Sequence, residues 1–174
     1  PYRVDEIHGG NLNHAFCVRG ADNRPDAQHR TFFLKHAPEH IKCLGPEYPC
    51  DGNRACVEAR ALRAYNAIAP HLVPTLLHFD EPRRAMVLGF LEEHELLRET
   101  LARGAPCDVH LRDVARFMAL THVATRRGAA DAERREEEMA NPAMCAITAA
   151  DVFAKPLDRS DATNRRSAAV EAEA

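Results

Sequence analysis

Apolar and polar side chains alternate from Tyr2 to Ile7, and a second β-favouring run spans Ala15 to Arg19, so both stretches are predicted to be strands. Between them, Gly9, Gly10, Asn11 and Asn13 give the chain the turn-forming residues of a hairpin. A polar, proline-containing loop from Gly20 to Arg30 leads to a third strand, Thr31 to Lys35, which completes an antiparallel meander. Beyond an irregular stretch with three prolines, Val57, Ala61, Leu62, Tyr65 and Ile68 recur at helical spacing within Arg54 to Ala69, with Asn53 placed to cap the helix. A strand near Thr75 to Phe79, a turn at "EPRR" and a continuous apolar strand from Ala85 to Leu91 follow, the last of a kind buried on both faces. The predicted order is β-β-β-α-β-β.

The character of the chain changes near Leu91 to Glu93, which divides it into a mixed lobe, 1–91, and a helical lobe, 92–174. "EHELLRETLARG" reads as a short helix closed by Gly104. The segment Asp108 to Gly128 reads as a longer one, with Leu111, Val114, Ala115, Phe117, Met118 and Val123 toward a core. "AADAERREEEMA" is charged enough to be a solvated helix face. The chain opens at Pro1, one step from a strand, and closes in "RRSAAVEAEA", which looks like the beginning of a helix. It is expected to be a piece of a longer protein, with the apolar face of the long helix exposed and prone to aggregate.

Composition narrows the functions. With 23 basic and 26 acidic residues among 174, the net charge of -3 leaves no electrostatic footprint for nucleic acid or an anionic membrane. No apolar run is long enough to span a bilayer, and the chain is expected to be soluble and cytoplasmic. Six cysteines without a C-x-x-C pair are expected to be reduced thiols, and the ten histidines include no H-E-x-x-H motif, so no metal site is expected.

The candidate chemistry lies in the first lobe. A glycine-rich hairpin lets backbone amides approach an anion, and asparagine amides add donors; Gly9, Gly10, Asn11 and Asn13 suit that use as well as they suit an ordinary turn. Lys35 ends a strand whose neighbours Phe32, Phe33 and Leu34 are apolar, so its ammonium needs a partner, and Glu58 on the helix is placed to supply one. A glycine-rich turn, a lysine on the third strand and a glutamate on the next helix form the arrangement with which a protein-kinase-like N-lobe holds nucleotide phosphates. Gly89, Phe90 and Leu91 then fall where such folds hang adenine from a hinge. Asp80 in "HFD" resembles a catalytic aspartate but lies before that hinge, on the wrong side of the phosphates.

"GNLNHAFCV", "FLKHAPEHIKCLGPEYP", "NRACVEARAL", "LVPTLLHFD", "FLEEHELLRETLARG" and "NPAMCAIT", in this order, resemble the methylthioribose kinase family, its plant-type members in particular, from about Tyr2 to Pro156. The resemblance implies an α+β fold of the choline kinase and aminoglycoside phosphotransferase type. Its N-lobe has a five-stranded antiparallel sheet and one helix, followed by the first helices of a C-lobe. It implies transfer of the ATP γ-phosphate, with Mg²⁺, to the 1-hydroxyl of 5-methylthioribose in methionine salvage, and a homodimer.

By the same resemblance, Gly10, Asn11, Asn13 and Lys35 match nucleotide-contacting positions, Gly89 to Leu91 the adenine hinge, and Tyr48 a substrate loop where the family usually has tryptophan. His8-Gly9-Gly10-Asn11 departs from the family's G-D-G-N, and the H-G-D base and acidic metal motif have no counterpart, so the base is expected beyond residue 174 and this piece alone inactive. Two other readings stand beside this one: a non-catalytic nucleotide-binding module, and another small-molecule kinase of the aminoglycoside or choline type.

Overall fold

The computed structural model describes residues 2–20, 31–126, 128 and 132–164. The loop expected at 21–30 and the helix start expected at 165–174 lie outside the described residues. The chain forms two compact units, Pro1–Ala140 and Asn141–Ala174, so the first runs on past the change of character near Leu91.

Strands β1 (Tyr2–Glu6), β2 (His14–Gly20) and β3 (Thr31–His36) form the meander, with Val4 opposite Val18 and Phe16 opposite Leu34. The stretch expected to be irregular contains a two-stranded ladder, β4 (His40–Ile41) with β5 (Gly45–Pro49). Its turn uses Gly45 at φ 87°, and a two-stranded ribbon has free edges on which Pro46 and Pro49 withhold no needed donor. Helix α1 (Arg54–Ile68) follows, then β6 (Leu76–Asp80) and β7 (Ala85–Gly89). The main sheet has the order β1-β2-β3-β7-β6, antiparallel throughout. β7 ends two residues earlier than expected: the Gly89 amide still bonds across to the Thr75 carbonyl at 2.9 Å, and Phe90 and Leu91 lie beyond the ladder.

α1 lies on one face of this sheet, but with a different stripe from the expected one. Ala55 and Ala59, 2% and 0% exposed, meet Met86 and Leu88, with Leu62, Phe33, Leu76 and Phe79 around them. The strands fill the space with large side chains, so the helix opposes them with its smallest. Tyr65, expected in that stripe, instead meets Phe117 edge-on, ring centroids 5.3 Å apart.

Asn53 does not cap the helix with its side chain. Asp51, two residues earlier, braces the helix start instead: its carboxylate accepts from the Asn53 amide at 2.8 Å and from the Asn53 carboxamide at 3.2 Å. The Gly52 amide donates to Glu39 Oε2 at 2.9 Å.

Helix α2 (Leu97–Ala102) is closed at Gly104, φ 67°, whose amide reaches the Leu101 carbonyl. Helix α3 (Asp108–Thr125) stops short of the expected Gly128. Phe117 and the buried Thr121 face inward, whereas Leu111, Val114, Met118 and Val123, expected toward a core, are exposed. Helix α4 (Ala132–Met139) is mostly exposed, as its charge suggested, and is fastened by Arg60 donating to the Glu138 carbonyl and Arg135 to the Ala124 carbonyl, both at 2.6 Å.

In the second unit, the Asn141 side chain accepts from the Met144 amide and starts α5 (Pro142–Ile147), which continues into a π-helical turn, Thr148–Ala154, and a 3₁₀ turn, Lys155–Leu157. No helix among the described residues is long and apolar enough to cross a membrane, and the six cysteines are unpaired.

The alanine contact makes a direct test. Ala59→Leu is expected to lower the unfolding free energy by about 1–3 kcal/mol through overpacking, read from the urea midpoint; an unchanged midpoint would show that the helix does not press on the sheet as described.

Candidate functional site

Lys35 stands in register between Ala15 and Met86, and Phe33, two residues earlier on the same face, enters the core beneath α1. The lysine therefore emerges at the end of the buried face, under the first turns of α1. Glu58 meets it there, Nζ to Oε1 at 2.6 Å, the side chains 25% and 33% exposed. Partial burial strengthens the attraction relative to a surface pair and makes either charge costly to leave alone.

The glycine hairpin begins beside this pair. The Ile7 amide donates to the Ala15 carbonyl at 2.8 Å, closing the ladder, and residues 8–13 form the loop. Gly9 has φ 97°, a left-handed conformation that favours glycine, and a side chain there would meet nothing within 4 Å. The loop is thus open on its outer side. At its inner side it is tied down: the Asn11 carbonyl accepts from the Cys43 amide at 3.0 Å, and Lys42 pairs with Glu6 at 2.6 Å, which holds the Glu6 carboxyl below the usual range.

The residue that sequence reasoning missed is Arg54. It is 5% exposed, and its guanidinium donates to Asn13 Oδ1, to the Leu12, Cys50 and Asp51 carbonyls at 3.0–3.1 Å, and to the His40 carbonyl at 3.5 Å. Its one signal in sequence is an arginine at the first position of a helix, where the dipole disfavours a cation. Nearby, His14 and His36 stack with centroids 6.0 Å apart, and burial, followed by the charges of His14, Arg54 and His40, pushes the His36 imidazole down.

At the other end of the sheet, Gly89 has its amide taken by Thr75, so the backbone beyond it is what this edge presents to a ligand. Phe90 lies half-buried with the Arg19 guanidinium 5.7 Å over its ring. Leu91 is half-exposed and lines a cleft of about 880 Å³ with residues of the 71–74 loop, Glu92 to Glu95, His110 and Asp113. Tyr48 lies on β5, more than half exposed, in a strand of the ribbon rather than an irregular loop. Asp80 ends β6 and accepts from the Arg83 amide and guanidinium, which hold its carboxyl low: a turn residue. Among the described residues no group of three or more His, Cys, Asp or Glu is disposed to hold a metal ion.

No family model matches the chain. Curated proteins do, among them kinases. Specifically, the chain is 30% identical over 156 residues to the methylthioribose kinase of Yersinia enterocolitica, covering 88% of this chain and 38% of that one. It is 28% identical over 167 residues to the methylthioribose kinase of Geobacillus thermodenitrificans (94% and 41%) and 27% over 168 to that of Escherichia coli (94% and 38%). The chain is a relative of the methylthioribose kinases, and spans about two fifths of the length of these curated members.

Asp51 gives the site a measurable acid limb. Its carboxyl is held below the usual range, chiefly by the Asn53 amide. A carboxyl whose folded-state pKa is depressed stabilises the fold above its unfolded pKa, and that contribution is lost as the pH falls through the folded value. Asp51→Asn, which keeps an acceptor but cannot titrate, is expected to show a shallower fall in Tm from about pH 5 downward; a curve parallel to the parent's would remove Asp51 from that role.

Proposed function

We propose that this chain is the nucleotide-binding part of a small-molecule kinase of methionine salvage, which transfers the ATP γ-phosphate to the 1-hydroxyl of 5-methylthioribose. The observation that carries this reading is the half-buried Lys35–Glu58 pair at the base of a glycine hairpin, in a chain related to methylthioribose kinases. The fold is read as a kinase-like one of the choline kinase and aminoglycoside phosphotransferase type, with 1–91 as its N-lobe and 92–174 as the start of its helical lobe. The nearer likeness to plant-type members, the homodimer and the cytoplasmic location belong to the same proposal.

Lys35, held by Glu58, presents one ammonium to the phosphates and offsets their charge. The amides of Gly10 and Asn11 and the carboxamide of Asn13 add donors from the hairpin, whose open outer side leaves room for an anion. Gly89, Phe90 and Leu91 form the adenine edge, and Tyr48 stands toward the sugar substrate. Mg²⁺ would supply further neutralisation of the phosphate charge; its ligands and the base that accepts the hydroxyl proton are assigned beyond residue 174, since positioning and charge neutralisation need all these parts together.

Titration calorimetry with ATP tests this on the 174-residue chain. The parent is expected to bind without turnover, and Lys35→Met and Glu58→Gln to lose at least about tenfold in affinity while keeping their circular dichroism. A folded parent that takes up no ATP, or variants that bind equally well, would sink the proposal.

A further inference from the structure

We propose that Arg54 is a positioning residue for the glycine hairpin: it fixes the backbone at Leu12 and the orientation of the Asn13 carboxamide, and binds both to the first turn of α1. The proposal rests on reading this hairpin as the phosphate-binding element.

The argument starts from cost. Arg54 is nearly fully buried, yet all of its described acceptors are uncharged: four backbone carbonyls and one carboxamide oxygen. A buried cation bonded to no carboxylate, and set at a helix N-terminus, is an expensive choice for stability alone. What it supplies is geometry. The guanidinium has five N–H groups in a planar fork, and five acceptors meet them; a lysine, with three donors on a point charge, has no such reach. The acceptors belong to the hairpin (Leu12, Asn13), β4 (His40) and the approach to α1 (Cys50, Asp51); the last two are already joined through His40 opposite Pro49 and the Cys50 amide on the Glu39 carbonyl, so Arg54 adds a tie between them and Leu12 and Asn13.

The bond to Asn13 has a chemical consequence. A carboxamide has an acceptor edge and a donor edge. With Oδ1 engaged by Arg54 Nε at 3.0 Å, the NH₂ is the edge left to serve a ligand, and it suits a phosphate oxygen. Released from Arg54, the amide can turn and present its oxygen, which repels an anion. Arg54 and Glu58 also lie four residues apart on α1, so one helical face holds both the hairpin and the lysine pair. A shift of α1 that parts Lys35 from Glu58 has to break the Arg54 bonds as well.

The test uses hydrogen exchange and ATP titration on the 174-residue chain. In Arg54→Lys, the Ile7 and Cys43 amides, which bond to the Ala15 and Asn11 carbonyls at the two sides of the hairpin, are expected to exchange at least about tenfold faster while those of β3 and β7 keep the parent's protection, and ATP affinity is expected to fall about tenfold. Leu62→Ala, which weakens the core without touching the hairpin, is the comparison: it should lower Tm with neither effect. Asn13→Asp separates the two roles, since a carboxylate still accepts from Arg54 but has no donor; hairpin protection should persist and ATP affinity fall.

If Arg54→Lys does not fold, Asn13→Ala, which removes a single acceptor, reads the same loosening of the hairpin. Unchanged exchange at Ile7 and Cys43 in the folded Arg54 variant, or in Asn13→Ala where that variant fails to fold, or loosening that merely follows Tm as in Leu62→Ala, would overturn the proposal. A parent chain that binds no ATP would instead remove the nucleotide reading, and the exchange data would still decide whether Arg54 clamps the hairpin.

Discussion

The nearness of α1 to the sheet is the constraint on which the rest depends. Ala55 and Ala59 allow it, because they leave room for Met86 and Leu88 where a longer side chain would hold the helix away. That separation decides whether Glu58 reaches Lys35. The ion pair and the core contact are therefore one arrangement seen at two levels: packing sets a distance, and the distance lets two opposite charges meet at the end of an apolar face. The same turn of helix brings Arg54 down beside the hairpin.

Lys35 and Arg54 are handled in opposite ways by their surroundings. The lysine meets a carboxylate and stays partly open to water, which suits a cation that must also attract something from outside. The arginine is closed off and surrounded by carbonyl dipoles, which suits a cation whose work is to hold shape. Neither contrast needs an unusual backbone. It follows from where each side chain leaves its element: Lys35 at the end of a strand, Arg54 at the start of a helix whose preceding loop folds back over it.

Much of this was legible in one dimension and some of it was not. The strands, α1 and the Lys35–Glu58 partnership follow from alternation, helical spacing and the cost of an unpaired lysine, all of which are local or nearly so. The buried stripe of α1 was misread, because which of several alanines faces inward depends on the size of the sheet residues opposite, and those lie up to some thirty residues away. Asn53 does not cap with its side chain because the Asp51 carboxylate holds both its amide and its carboxamide, a contact set by the loop conformation. Arg54 stayed hidden since a basic residue at a helix end looks solvated until the segments around it are assembled. The β4–β5 ribbon carries too few paired residues to show a periodicity at all.

The strand order has a consequence for how the chain reaches this state. β1, β2 and β3 are consecutive neighbours, and so are β6 and β7, but β3 and β7 pair only after the whole of the β4–β5 ribbon and α1 has been laid between them. Closing that long intervening segment carries the largest loop-closure entropy of any pairing in the sheet. The central seam of the sheet, where Lys35 faces Met86, is accordingly the pairing that weighs most heavily on the rate at which the sheet can form.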